Sequence, residues 1–284
     1  MNDYSINFPN LGIYLEYVPK SFNVFGIEIA MYGVIIAIGM MLGLRYALKE
    51  AKRTGQKEDD YWDLATMLLL FSVLGARLYY VVFFWDSFKN DLLSIFNIRN
   101  GGLAIYGGVL AGIITVYVFS KKRRLPFWKM ADTLIPGLLI GQIIGRFGNF
   151  TNREVFGGYT NGLFAMQLPL NMVRQRDISA DIAENIIEGT NYVQVHPTFL
   201  YESLWNLVLL LLILLYKKKK KFEGEIFYIY LIGYGIGRAW IEEIRTDQLL
   251  VPVIELPVSQ ILALILTVLG IVMVIRNRRK GRVG

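Results

Sequence analysis

Six ionisable residues interrupt stretches that are otherwise apolar: Arg77, Asp132, Arg146, Glu202, Arg238 and Glu242. Each costs at least about 2.5 kcal/mol at the centre of a lone inserted helix, so each must face a protein interior or a watery cavity. An arginine stays charged and presents a planar fork that matches a phosphate. Arg146 and Arg238 are therefore candidates for holding a phosphate group. The competing reading is structural, with ion pairs such as Arg238–Glu202 tying a bundle together. A bundle does not need six charges for that, because small residues also pack membrane helices. Other chemistries are excluded by composition. There is no cysteine, which rules out disulfides, thiolate nucleophiles and Cys-ligated metals. His196 is the only histidine, so a multi-His metal site is impossible and a Ser-His-Asp triad would have to use that residue.

The elements that position these groups are apolar helices. Of 284 residues, 54% are hydrophobic and 19% charged, against about 25% charged in soluble domains. A spanning helix needs about 20 mostly apolar residues, and seven stretches qualify: Ile27–Leu48, Tyr61–Trp85, Leu103–Phe119, Asp132–Phe150, Phe199–Tyr216, Ile226–Ile244 and Leu256–Ile275. The fourth is glycine-rich and weak. Basic residues alternate between the connections. One set holds Lys49, Lys52, Arg53 and Lys57, then Lys121, Lys122, Arg123, Arg124 and Lys129, then Lys217 to Lys221, then Arg276, Arg278, Arg279, Lys280 and Arg282. The other set is poor, with Lys20, Lys89, Arg99 and Arg245. Basic loops stay in the cytoplasm. The expected fold is an all-α integral membrane protein of seven transmembrane helices, amino terminus outside and carboxyl terminus cytoplasmic. Topology also accounts for the net charge of +7. Met1 to Lys20 lacks the basic and apolar regions of a signal peptide.

The chain is expected to form a single polytopic membrane domain over residues 1–284. Its longest connection, 151–197, falls outside and carries mixed charge, which suits a small extracytoplasmic cap. In this topology Arg146 and Arg238 lie near the outer ends of the fourth and sixth spans, at similar depth. Two arginines there suit an anionic phospholipid head group. Glycines give a second indication. Gly137, Gly141, Gly145 and Gly148 form a ladder suited to close helix packing. The doublets Gly101-Gly102 and Gly107-Gly108, around Tyr106, would let a ligand approach the backbone closely.

The segment from Gly145 to Gly157, GRFGNFTNREVFG, resembles the signature G-R-x-G-N-F-x-N-x-E-x-x-G of prolipoprotein diacylglyceryl transferases. Other stretches are similar to that family as well: Ile29–Gly33 with Tyr32, Gly101–Gly108 with Tyr106, His196–Glu202 (HPTFLYE), and Tyr234–Arg238 followed by Glu242, Arg245, Thr246 and Asp247. The resemblance spans about Tyr32 to Asp247. Many members carry a histidine where Tyr106 stands, so no imidazole can act as base at that place here.

The resemblance implies an enzyme of the bacterial cytoplasmic (plasma) membrane, multi-pass, that catalyses the first step of lipoprotein maturation. Such enzymes move the sn-1,2-diacylglyceryl group of phosphatidylglycerol to the lipobox cysteine thiol of a prolipoprotein signal peptide, forming a thioether and releasing glycerol phosphate. No metal or soluble cofactor is implied, and no nucleic acid. The expected catalytic set is Arg146, Arg238, Asn149, Glu154 and Tyr106. The expected substrate-binding set is Tyr32, Gly157, Glu242, His196, Tyr234, Glu202 and Gly107. Pre-placed cations stabilise the charge that grows on the departing phosphate. Glu154 and Glu242 would fix the arginines by bidentate pairing or bind head-group hydroxyls. Candidates for the thiol proton are Tyr106, Glu154, Glu242 and His196. His196 has the alternative of a hydrogen-bonded helix-entry residue, and Tyr32 that of a packing aromatic. Two other functions compete with this one. An anion transporter predicts internal repeats and a midplane site, and neither is legible. A non-catalytic scaffold predicts a bundle without converging polar groups.

Overall fold

The computed structural model describes residues 2–98, 101–252 and 255–280. Arg99 and Arg282 of the basic pattern lie outside the described residues. The chain is mostly helical. Among the described residues seven helices are long: α1 (Met31–Arg53), α2 (Glu58–Phe83), α3 (Ile105–Lys122), α4 (Phe127–Asn152), α6 (Thr198–Tyr216), α7 (Glu225–Glu243) and α8 (Val258–Lys280), with a short α5 (Ala180–Glu184). Among the described residues four helices are long and apolar enough to cross a membrane: Met31–Arg53, Glu58–Phe83, Thr198–Lys219 and Val258–Lys280. This is the architecture of an integral membrane protein. Charge and dipole agree at several helix ends. Glu58, Asp59 and Asp60 open α2, while Lys52 and Arg53 close α1, Lys121 and Lys122 close α3, and Arg278 to Lys280 close α8.

The apolar run beginning at Ile27 does not start a helix there. Ile27–Ala30 is strand β4, paired antiparallel with β3 (Ser21–Val24), and α1 begins only at Met31. A second sheet has the order β2-β1-β5-β6 and joins β1 (Ile6–Phe8) and β2 (Ile13–Leu15) to β5 (Met166–Pro169) and β6 (Tyr192–Val195). The helical expectation therefore needs correcting outside the long helices. The segment after α4 is a β-structure, and the amino-terminal strands complete it. Strands of three or four residues leave no long periodic run to detect.

The chain divides into two compact units, Leu44–Leu134 and the combination of Met1–Gly43 with Ile135–Gly284. In the larger unit, Ile6, Phe156, Leu168, Ile182, Val193 and Val195 form a core beneath the four-stranded sheet, and Phe199 at the start of α6 closes it. A second core packs Ile135 and Leu139 of α4 with Leu209 and Ile213 of α6 and Ile226 and Tyr230 of α7. Arg278 of α8 pairs with Glu225 at the start of α7 (2.7 Å) and donates to the Tyr216 hydroxyl at the end of α6 (2.8 Å). The far end of α7 is bonded to the cap: Gly157 bridges Arg245, and the Gly158 amide donates to the Ile244 carbonyl. Sheet and basic cluster thus lie at opposite ends of α7.

Helix α4 crosses α1 through paired glycines. A Cβ added at Gly137 would stand 2.5 Å from the Gly43 carbonyl oxygen, and one at Gly43 equally close to that of Gly137. Neither backbone can retreat without losing the crossing. Gly137→Ala is expected to destabilise by about 1–3 kcal/mol through overpacking, read as a lower Tm in detergent, while Gly33→Ala, whose added Cβ meets nothing within 4 Å, leaves Tm unchanged.

In the smaller unit, Ala47, Ala51, Tyr61, Leu64, Phe119 and Met130 form the core. Arg77 of α2 is buried and spends its guanidinium on backbone carbonyls, those of Ser94, Ile95, Asn97, Gly101 and Gly102. It organises the α2–α3 connection.

Candidate active site

Four helix ends build the polar cluster of the larger unit: the last two turns of α4 and of α7, the first two turns of α6 and the start of α8. Helix α4 offers Arg146, α6 offers Glu202, and α7 offers Arg238 and Glu242 one turn apart. Glu202 is the node. Its carboxylate meets Arg146 at 2.6 Å, Arg238 at 3.3 Å and Arg245 at 3.6 Å, and its side chain is 4% exposed. Glu242, also buried, pairs with Arg238 at 2.5 Å and Arg245 at 3.7 Å and accepts a bond from the Ser259 hydroxyl at the start of α8. Asp247 takes the outer edge of Arg245 through two hydrogen bonds of 2.9 and 2.7 Å. Buried ions of this kind are stable only when paired and hydrogen-bonded.

The arginines are not equivalent. Arg238 divides its guanidinium between two carboxylates. Arg146 gives one nitrogen to Glu202, and no other hydrogen bond or ion pair to it occurs among the described residues. Its remaining N–H groups can take an anion. The ion pair Arg238–Glu202, expected on the structural reading, is present. Tyr234, one turn before Arg238, lines a small void with Glu202, Trp205 and Asn206 and stacks on Tyr230.

Glu154 does not pair with Arg146 or Arg238, contrary to its expected role of fixing them. It accepts hydrogen bonds from the Asn149 and Asn152 amides (3.2 and 3.3 Å) and pairs with Arg174 of the cap at 2.9 Å. Its neighbours Arg153 and Val155 both have positive φ, 56° and 60°. Such left-handed backbone costs about 1–3 kcal/mol per residue and persists where the surroundings enforce it. Arg153 is held by the carbonyls of Thr151 and Val18. The Thr198 hydroxyl donates to the Val155 carbonyl.

Gly157 is squeezed between two chains. Its amide donates to the His196 carbonyl, and an added Cβ would lie 2.7 Å from the Ile244 carbonyl oxygen and 2.8 Å from the His196 Cβ. His196 is fixed through its backbone to Gly157 and Gly158, and its Nδ1 lies 3.1 Å from the Tyr201 hydroxyl. Burial lowers its pKa below the usual 6.5, opposed in part by Asp181. The unfolded chain therefore takes up a proton before the folded one does. Stability from this residue is complete above pH 6.5 and declines as pH falls below it. Wild-type Tm should fall between pH 7 and 5 by a margin that His196→Gln reduces, measured by thermal scans in one detergent.

Tyr32, in the first turn of α1, lies against Gly148, whose added Cβ would meet the ring at 2.7 Å. Tyr106 and Gly107 lie in the smaller unit. Tyr106 is exposed in the first turn of α3. Gly107 is buried against Gly75 and Tyr79 of α2, which gives it a packing role. Gly102 has φ of 77°, and its carbonyl accepts a hydrogen bond from Arg77. The loop's own geometry accounts for that doublet without a ligand. Arg245, Asp247 and Ser259 belong to the cluster but not to the expected site. The sequence signal for Arg245 and Asp247 was their place in the stretch after Arg238 that is similar to the family.

The family model that matches, over residues 19–276, is described as prolipoprotein diacylglyceryl transferase. The chain is similar to proteins named phosphatidylglycerol–prolipoprotein diacylglyceryl transferase. The protein of Clostridioides difficile (strain 630) is 40% identical over 262 residues, covering 92% of this chain and 96% of that one. Those of Finegoldia magna (strain ATCC 29328) and Bacillus cereus (strain G9842) are also 40% identical, covering 92% and 88% of this chain and 96% and 88% of their own lengths. With a family model matched over residues 19–276, relatives matching nearly end to end, and Arg146 of the signature paired with buried Glu202, the chain belongs to the prolipoprotein diacylglyceryl transferase family.

Proposed function

We propose that this chain transfers the sn-1,2-diacylglyceryl group of phosphatidylglycerol to the lipobox cysteine of a prolipoprotein signal peptide, in the bacterial plasma membrane. The observation that carries this reading is Arg146: a guanidinium anchored at one nitrogen to buried Glu202 and otherwise free for an anion. In the reaction the cysteine sulfur attacks the glyceryl carbon that bears the phosphate ester. A C–S bond forms, the C–O bond breaks, the thiol proton passes to a base, and glycerol phosphate leaves. Charge grows on the departing phosphate, and a donor already in place stabilises it without reorganisation. Arg146 fills that role, with Glu202, Arg238, Glu242 and Arg245 holding it. Asn149, fixed by Glu154, offers a neutral donor to a phosphate or glycerol oxygen. Tyr32, Tyr106, Tyr234, Gly157 and His196 are read as substrate contacts, and Gly107 as the packing that supports Tyr106.

Residues 1–284 are read as one polytopic membrane domain of seven spans, amino terminus outside, with 151–197 as the extracytoplasmic cap. The separation of sheet and basic residues to opposite ends of α7 favours this topology. Helices α3, α4 and α7 have 18, 26 and 19 residues. In α4 and α7, charges needed by the cluster replace apolar residues.

The test is transfer by purified protein in detergent with phosphatidylglycerol and a lipobox peptide. A mass gain of one diacylglyceryl unit on the cysteine peptide, absent from its Cys→Ser control, with glycerol phosphate released, is the expected result. Bound lipid without transfer would overturn the proposal.

A further inference from the structure

A cavity of about 180 Å³ opens in the cap, lined by Lys20, Asn152, Arg153, Glu154, Met172 and Arg174. It is several times a water's share of liquid volume, about 30 Å³. Three cations face one carboxylate there. Glu154 is shared with Arg174 and two asparagine amides. Among the described residues the Lys20 ammonium bonds only to a backbone carbonyl, that of Met172, at 3.0 Å. Arg153 is 2% exposed, and its Nε is buried with no hydrogen-bond partner. A buried N–H of a charged group left unpaired is costly, and such a group in a native structure needs an explanation. Burial and mutual repulsion lower the pKa of Lys20, with Glu154 opposing. Burial lowers that of Arg153, with Asp3 opposing. Asp3 is itself bonded by Asn171. The cavity therefore carries unspent positive charge.

We propose that this cavity is a binding site for a phosphate group borne on glycerol, and that its occupant is the soluble phosphomonoester released by the reaction, held on its way out. A dianion suits the surplus of two cations better than the monoanionic diester of a lipid. The cavity is lined mostly by cap residues, and Glu154 in its wall accepts a hydrogen bond from Asn149. The identity of the occupant rests on the transferase reading above, but the binding itself does not.

Binding can be measured without turnover. Glycerol phosphate is titrated into purified full-length protein, in detergent free of anionic lipid, by calorimetry. Saturable binding is expected, weakened at least 10-fold by Lys20→Met and by Arg174→Met, and restored to within 3-fold by Arg174→Lys. The lysine variant guards against a mere folding defect. Arg146→Lys should leave this binding unchanged. A second titration adds short-chain phosphatidylglycerol, which is expected not to displace the monoester. Absence of saturable binding, displacement by the short-chain lipid, or a loss that follows Arg146 instead of Lys20 and Arg174 would each overturn the proposal. If binding behaves as expected but no peptide is modified, the cavity stands and the transferase reading fails.

Discussion

Glu202→Gln is expected to lower both stability and transfer more than any other single change at the site. Three guanidinium groups converge on this one carboxylate, at 2.6, 3.3 and 3.6 Å, and its side chain is 4% exposed. Glutamine keeps the shape and one oxygen but removes the charge, and its amide turns two donors toward a cluster made of donors. Arg238 and Arg245 would then share Glu242, and Arg146 would keep no charged partner. Removing one partner of a buried ion pair costs about 3–5 kcal/mol, because the remaining charge stays desolvated and uncompensated. The checks are a thermal scan in detergent, with Tm expected to fall by several degrees, and the peptide assay, with transfer expected to fall at least about 100-fold, a loss of the size seen when one preorganised donor is removed. Glu202→Asp keeps the charge but draws it back by one methylene. It should recover most of the Tm and only part of the transfer. A Glu202→Gln protein with wild-type Tm and transfer would show that the arginines are held by something other than this carboxylate.

The contrast between Arg77 and Arg146 shows what was legible in the sequence. Both are arginines in apolar runs, and both cost the same on a lone helix. Cost alone does not separate them; the signature around Arg146 does. Arg77 finds five backbone carbonyls in its own connection, whereas Arg146 finds one carboxylate on another helix. A partner fifty-six positions away cannot be read from periodicity. The long helices were legible, because a run of about twenty apolar residues is a strong and local signal. The cap sheet was not. Its strands β1 and β5 are separated by more than a hundred residues, and each is too short to show alternation. For the same reason Arg174 could not be assigned to Glu154. It lies in a short irregular stretch after β5, and only the fold of the cap brings the two within 2.9 Å. The glycines divide similarly. The ladder in α4 predicts close packing, and Gly137 against Gly43 and Gly148 against Tyr32 supply it. Gly157 carried no packing signal, because its neighbours come from two other parts of the chain.

Arg146→Lys and Arg238→Lys should separate two roles that the same residue type plays in one cluster. Lysine keeps the charge but replaces the fork with a single ammonium, so it can serve as a point charge and not as a bidentate clamp. Arg238 spans Glu202 and Glu242 with two nitrogens. An ammonium there cannot bridge both, and the variant should lose several degrees of Tm together with activity. Arg146 makes one ion pair, at 2.6 Å. An ammonium can replace that contact, so Tm should stay within about two degrees of wild type. What it cannot replace is the second edge of the guanidinium, the one available to a phosphate in the transition state. Transfer by Arg146→Lys is therefore expected to fall about 100-fold, the scale for one preorganised donor, and to fall mainly in kcat, because an interaction that strengthens as charge develops lowers the barrier more than it tightens the ground state. The measurement is initial-rate transfer at varied phosphatidylglycerol, alongside a thermal scan of each variant. Near-full transfer by Arg146→Lys at unchanged Tm would exclude bidentate clamping by Arg146. A kcat loss at constant Tm would separate the clamp from the scaffold that holds it.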